Sequence, residues 1–349
     1  MYKTTNPSDF TLDLITVGLR KTSSEAITEE KVDALISSWA TVQRCSVQGK
    51  AEISAPAVLG SMAQEKSPFR IALPTLIHRG IINLLRQPNL ATGRISQLLG
   101  LAIVETAFFA PLGNDYYSVQ SRMGFVQQLS SMFFVGMLNS IALYPNERAI
   151  FYREDDDNSY PLEAFFIYYS AVEIPMELLA SMLFSLLTVL AVGLPRTPTL
   201  FFLTTYIAFC VVSCGESVGI VFLTLFSHTG LAVSIMSVIL AISVHLGGII
   251  SLSVPRFLQA LNHASPVKWQ VGALASYSLR GIEFTCSNAQ RLADGKCPIE
   301  NGGQALALYH LDVDTGKYAL ALGGVTVGYR LLAYVVLKAR RTRWRDFLG

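Results

Sequence analysis

Several stretches of this sequence are apolar over a length that suffices to cross a lipid bilayer. A helix needs about 20 mostly apolar residues to cross about 30 Å of hydrocarbon. Six stretches qualify, at about 95–113, 121–144, 161–194, 199–226, 229–252 and 318–338. With 51% hydrophobic and 15% charged residues, the 349-residue chain is too apolar to hide them in one soluble core. We therefore predict an all-α integral membrane protein with six transmembrane helices.

Basic residues flank the predicted spans. One group precedes the first span and another follows the last: Arg70, Arg79, Arg86 and Arg94, then Lys338, Arg340, Arg341, Arg343 and Arg345. Lys and Arg concentrate on the cytoplasmic side of membrane proteins. We therefore expect a multi-pass protein with an even number of spans and both termini in the cytosol, located in the plasma membrane.

The segments around these spans divide the chain further. Residues 69–88 form an amphipathic stretch, which predicts an elbow helix lying in the inner membrane interface. Residues 89–252 carry the first five spans, 253–317 form a long outer loop, and 318–349 carry the sixth span and a basic tail. Residues 1–68 are a cytosolic segment in which apolar residues recur at helical spacing, predicting a small amphipathic helix: Val32, Leu35, Ile36, Trp39 and Val42.

Catalytic and nucleic-acid-binding classes are disfavoured by the sequence. It contains no G-x-x-x-x-G-K-[ST] phosphate-binding loop and no G-x-S-x-G nucleophile motif. Its five histidines show no metal-ligand spacing, and its basic residues lie beside the membrane. We expect no enzymatic activity, no metal and no cofactor held by this chain, and no nucleic-acid partner.

Seven short segments, in this order, resemble the transmembrane half of a G-subfamily ABC transporter, of the white and pleiotropic-drug-resistance type with an ABC2-type permease. They are 6–13, the elbow sequence 79–88, Arg122-Met123-Gly124, 144–154 with Tyr160, Glu173-Ile174-Pro175, 265–269 and 297–299. Two positions depart from the family pattern. Asn158 stands where the family usually has Gly, and Asn tolerates the same left-handed conformation. Residues 155–157 are an unusual run of three Asp.

The resemblance implies partners. The family carries an ATPase domain ahead of this region, so residues 1–68 correspond to a linker after that domain, and ATP and Mg²⁺ would bind to the missing or partner ATPase. We expect a truncated gene product, a gene-model fragment or an isolated domain, which works with a second transporter half as a homo- or heterodimer among membrane lipids. An inner loop would couple it to the ATPase through Glu147, Arg148, Phe151, Arg153 and Glu154.

A polar face lies in the second span. Gln128, Ser131, Met132 and Val135 share one side of a helix, and facing lipid would be costly for the glutamine. Hydrogen bonds to a neighbouring helix and a substrate cavity explain this face equally well. The resemblance implies that the second and fifth spans line the substrate cavity, whose wall would be formed by Gln128, Met132, Val135, Ile242 and His245. Residues 255–285 of the outer loop are too apolar to be fully solvated, and they resemble the short re-entrant helices that cap this cavity in the family.

Charged residues within the predicted spans require partners or protons. Glu105 lies about 16 Å beyond Arg94 at 1.5 Å per residue; we favour a neighbouring helix that satisfies it over a proton site. Arg330 is expected to snorkel towards the interface. Glu173 and Glu177 are expected in a kinked stem around Pro175. Gly324 and Gly328 permit close helix contact.

The cysteines divide by predicted compartment. Cys210 and Cys214 lie one turn apart in the fourth span and are most simply packing residues, whereas Cys45 is expected to be reduced in the cytosol. Cys286 and Cys297 both fall in the outer loop, where an oxidising environment favours a disulfide between them.

Together these features predict the permease part of an ATP-driven exporter of amphiphilic or lipid-like small molecules, with the substrate path at a dimer interface. Two alternatives remain open. One is a transport-incompetent half that only dimerises. The other is an ion-coupled carrier that uses Glu105, against which stands the absence of an inverted repeat.

Overall fold

The computed structural model describes residues 32–34, 36–39, 66–250, 255–287, 290–291 and 297–348, without the side chains of 90 and 343–348. The chain forms two units, residues 1–64 and 65–349. In the first unit, 32–34 and 36–39 are helical and the side chains of Ile36 and Trp39 are exposed. The N-terminal segment 6–13 and Cys45 lie outside the described residues.

The second unit is built from helices. In chain order they are α1 Phe69–Arg86, α2 Pro88–Phe109, α3 Ser118–Gln128, α4 Ser131–Asp156, α5 Leu162–Ala191, α6 Pro198–Leu225, α7 Thr229–His245, α8 Gln259–Ala264, α9 Pro266–Leu279, α10 Gly302–Leu308 and α11 Thr315–Leu348. One 3-10 turn, Arg256–Leu258, precedes α8.

Among the described residues, four helical segments are long and apolar enough to cross a membrane: Ser118–Asp156, which joins α3 and α4, Leu162–Ala191, Pro198–Leu225 and Thr315–Thr342. The chain is therefore an all-α integral membrane protein. Helix α7 is apolar but has only 17 residues. The fifth span was predicted to end at residue 252, and this bound was wrong. Helix α7 ends at His245, and Gly248 beyond it has a φ of 83°. The count of six spans stays a prediction.

Helix α6 lies at the centre of the unit, and close packing against α4 holds it there. A Cβ added at Gly136 would overlap the carbonyl oxygen of Val212, and one added at Gly215 would overlap that of Phe133. Small residues let helix backbones approach this closely, and packing is the main source of helix association in a membrane. A Cβ added at Gly324 or Gly328, whose spacing permits close helix contact, would meet no atom of the described residues within 4 Å.

The two ends of the unit differ in chemistry. The backbone N–H of Leu112 donates to Val192, and that of Thr285 donates to Asn114, so these segments share one end. We call it the disulfide end, because Cys286 and Cys297 are joined there with Cα atoms 5.8 Å apart, as predicted. The opposite end, where α5 begins, is called the α1 end.

Helix α9, which lies between α7 and α11 in the chain, packs against the bundle. Helix α9 is largely buried, and Gln270 donates from Nε2 to the carbonyl oxygen of Val126 over 3.1 Å. Trp269 packs against Tyr318 with ring centroids 4.9 Å apart. The apolar character of this predicted outer loop thus reflects helices that pack on α3 and α11.

Candidate functional site

Residues that the sequence assigned to an inner loop form a packed cluster at the α1 end. Lys66 donates to Asp155 over 2.8 Å, and Arg341 donates to both Asp155 and Asp156. Arg79 and Tyr160 both donate to Glu154. These seven residues, which we call the hub, tie the end of α4 to α1 and α11.

The predicted coupling residues are helical, which corrects the expectation of a loop. Helix α4 runs without a break from Ser131 to Asp156 and contains Pro145. Proline removes a backbone donor, but neighbouring helices tolerate it in membrane proteins. Continuous helix makes this segment a stiff extension of a spanning helix.

Three of the coupling residues face other helices. Phe151 is fully buried and stacks on Phe165 with ring centroids 4.3 Å apart. Arg148 donates to the carbonyl oxygen of Leu223 at the end of α6. Glu147 is half-buried, and Tyr168 donates to it over 3.5 Å. Movement of this part of α4 would therefore displace α5 and α6.

The last turn of α4 and the two residues after it carry exposed side chains. We call this surface the α4 tip; it consists of Arg153, Asp156, Asp157 and Asn158. Asn158 has a φ of 52°, which confirms the left-handed conformation expected at this position. The acidic run is partly neutralised, because Asp155 and Asp156 are paired with Arg341.

Charge states in the hub are fixed by its hydrogen bonds. Burial raises the pKa of the Tyr160 phenol above its ordinary value, and its bond to Glu154 raises it further. Burial alone lowers the pKa of the Arg79 guanidinium, but Glu154 outweighs it and the net shift is upward. Tyr160 therefore stays a donor and Arg79 a cation at neutral pH.

The predicted substrate-cavity residues differ in their burial in this chain. Met132 is fully buried, so it contributes to no open wall, and Val135 faces a small internal cavity. Gln128, Ile242 and His245 are exposed. The buried glutamine is instead Gln127, which donates from Nε2 to the carbonyl oxygen of Val244 over 3.0 Å.

A set of buried charged side chains lies within the helix bundle. Its central member, Glu216, has no exposed surface and was not predicted from the sequence. We call this set the ionic cluster; it comprises Arg94, Glu173, Glu177, Glu216 and Arg330. Arg94 donates to Glu173. Arg330 Nη2 lies 4.0 Å from Glu216 Oε2, so Arg330 points into the bundle and does not snorkel. A carboxylate inside an apolar run was the signal for such partners.

Two cavities adjoin Arg94. The larger has a volume of about 230 Å³ and opens among α1, α2, α4 and α5; Glu147, Tyr169 and Glu173 line it. The smaller has a volume of about 10 Å³ and is lined by Arg94, Asn139 and Glu177 among apolar residues. We call them the elbow cavity and the inner cavity.

Glu105 lies apart from this set. It is buried, and neither carboxylate oxygen has a hydrogen-bond partner among the described residues. The satisfying neighbour expected from the sequence is therefore not found in the described part of the chain. No group of three His, Cys, Asp or Glu side chains suited to a metal ion occurs in that part either.

Comparison with known proteins gives a consistent result. The sequence profile of the ABC-2 type transporter family matches residues 72–278, from α1 through α9. An uncharacterized ABC transporter ATP-binding protein/permease of Saccharomyces cerevisiae is 35% identical over 96% of this chain. The chain spans 27% of that protein's length.

Two further relatives are ABC transporter G family members. Member 16 of Arabidopsis thaliana is 31% identical over 37% of this chain and 17% of its own length. Member 3 of Dictyostelium discoideum is 24% identical over 78% of this chain and 21% of its own length. The similarity to each covers a minor part of these longer proteins.

Proposed function

Because this chain belongs to the ABC-2 type transporter family, we propose that it is the permease part of an ATP-driven exporter of amphiphilic or lipid-like small molecules. A permease part carries the substrate path and is not itself catalytic. The ATPase domain that binds ATP and Mg²⁺ would be a partner of this chain, consistent with a relative described as an ATP-binding protein/permease.

The hub is the observation that carries this proposal. An ATPase must act on the membrane helices through a stiff contact, and the hub joins α1, α4 and α11 by ion pairs. The exposed α4 tip would receive the ATPase on the cytosolic side. Phe151 and Arg148 would then pass a displacement of α4 to α5 and α6.

The substrate path would lie where two copies, or two related halves, meet. Helix α7 leaves Leu231, Val238, Ile242 and His245 exposed at helical spacing. Gln128 is exposed on the neighbouring segment. An apolar face with a few polar groups suits an amphiphile, because the apolar part is removed from water while its polar end keeps hydrogen bonds.

The experiment that tests this function uses the chain supplied with its ATPase, in vesicles, with a fluorescent lipid as the probe. Arg153→Glu in the α4 tip should lower ATP-dependent movement of the probe at unchanged Tm. Lys317→Glu, also exposed but at the disulfide end, is the matched control. Equal transport by both variants contradicts the proposed docking surface.

Orientation is tested separately in intact cells. A cysteine at Asp157 should resist a membrane-impermeant thiol reagent, whereas one at Glu300 should react. Reaction of the Asp157→Cys variant from outside would contradict a cytosolic α4 tip.

The ion-coupled carrier is tested with Glu105→Gln. If proton-gradient-driven transport were abolished in that variant, the carrier would be favoured over ATP-driven export.

A further inference from the structure

The ionic cluster contains three carboxylates but only two guanidiniums. The titratable and charged groups that face it come from four helices: Arg94 on α2; Tyr169, Glu173 and Glu177 on α5; Cys210, Cys214 and Glu216 on α6; and Arg330 on α11. If every carboxylate were ionised, the bundle would hold one uncompensated negative charge. Such a charge is costly in an apolar interior.

The excess charge is localised by the hydrogen bonds. Arg94 is bound to Glu173, which leaves Glu177 and Glu216, whose carboxyl groups face each other. None of their four oxygen atoms accepts a hydrogen bond from a described residue. Arg330 lies at 4.0 Å from Glu216, at the limit of an ion pair and beyond hydrogen-bond distance.

Two facing carboxylates that lack donors repel each other unless one becomes an acid. We propose that the ionic cluster binds one proton, shared between Glu177 and Glu216, together with a water molecule in the inner cavity. The proton makes one carboxyl group the donor to the other. It also makes the cluster neutral, with two negative and two positive charges.

The inner cavity supplies the place for the water. A buried water needs a volume of about 10–15 Å³ and two to four polar partners. The cavity has about 10 Å³ and is lined by Arg94, Asn139 and Glu177. Arg94 Nε and Nη2 and both Glu177 oxygens are buried without partners, so a water there would satisfy a donor and an acceptor.

Arg94 also gives the site a route to solvent. It lines the elbow cavity as well as the inner cavity, so the two spaces adjoin at this side chain. The elbow cavity reaches the surface beside the exposed Asn83 and Gln87. Protons and water would therefore exchange from the α1 end, whichever molecule the protein transports.

Infrared spectroscopy of the purified chain in lipid tests the proposal, because a protonated carboxylic acid has a carbonyl stretching band that a carboxylate lacks. Glu105 is also buried without a partner, so the experiment uses Glu105→Gln as the parent. The parent should show one carboxylic acid band at neutral pH, and the band should shift in D₂O.

The variants follow from the charge count. Adding Glu177→Gln or Glu216→Gln leaves two carboxylates for two guanidiniums, so each should abolish the band. Adding Arg330→Gln removes a positive charge and should roughly double the band. Absence of the band in the parent, or its persistence in either glutamine variant, overturns the proposal. Tm confirms folding, and a variant that fails to fold is replaced by the Asp substitution, which keeps the acid and should keep the band.

Discussion

Arg341, near the end of the last helix, donates to the carboxylate of Asp155, which lies 186 residues earlier at the end of α4. Both side chains are almost completely buried, with 5% and 2% exposed. The pair joins the first part of the bundle to the final helix at the end where the α4 tip is exposed.

Removing Arg341 should be destabilising, although Asp155 keeps its bond to Lys66. The cost should therefore lie below the about 3–5 kcal/mol of a buried charge that loses its only partner. We expect Arg341→Gln to lower Tm of the purified chain clearly. Lys317→Gln breaks an exposed pair with Asp314, worth about 0–1 kcal/mol, and should leave Tm nearly unchanged. Equal shifts would mean that the hub pair is not structurally important.

The glycine contacts between α4 and α6 give a second prediction. Gly215→Ala places a methyl group against the backbone of Phe133, which cannot move aside cheaply, so the helices must separate and Tm should fall. Gly324→Ala adds a methyl group in open space on α11 and should be neutral or stabilising by up to about 1 kcal/mol. The difference between the two variants in thermal unfolding is the measurement.

The stacking of Phe151 on Phe165 gives a third prediction. Phe151 is fully buried against Phe165, and replacing a buried Phe with Ala costs about 3–5 kcal/mol. Phe151→Ala should therefore lower Tm and, where the chain folds, reduce transport. Phe202 on α6 is 64% exposed, and Phe202→Ala should change Tm little. A large effect at position 202 alone would contradict this ranking.

Thiol chemistry gives a fourth. In a Cys45→Ser background, the native chain should bind no maleimide before reduction, because Cys286 and Cys297 are paired and Cys210 and Cys214 are buried. Mild reduction should then expose two reactive thiols, counted by mass spectrometry. Two adducts before reduction would show that the disulfide is absent.

The fold class followed from the sequence because apolar runs of bilayer length have few alternatives to helices. Which face of each helix packs against a neighbouring helix could not be predicted. Gly324 and Gly328 have the spacing of a contact motif, yet Gly136 and Gly215 make the close contact. Spacing places two glycines on one side of a helix, but the rotation of that helix within the bundle decides what this side meets.

The candidate site was predicted only in part for the same reason. The resemblance placed the residues from Glu147 to Glu154 in an inner loop, whereas they belong to α4, which continues through Pro145. The partners of Glu216 come from helices α2, α5 and α11, and pairings over such distances are set by tertiary packing. Cys286 and Cys297 were paired correctly because only these two cysteines fall in the predicted outer loop.

Helices α3 and α4 together run from Ser118 to Asp156, a length of about 58 Å at 1.5 Å per residue. This length is nearly twice the thickness of the hydrocarbon layer. The two helices are interrupted only around Leu129 and Ser130, so they form one long element with a short part, α3, and a long part, α4. The short part contains Gln127, whose amide donates a hydrogen bond to the carbonyl oxygen of Val244 at the end of α7. A small displacement of Asp156 would therefore also displace the end of α7, which lies at the opposite end of the bundle.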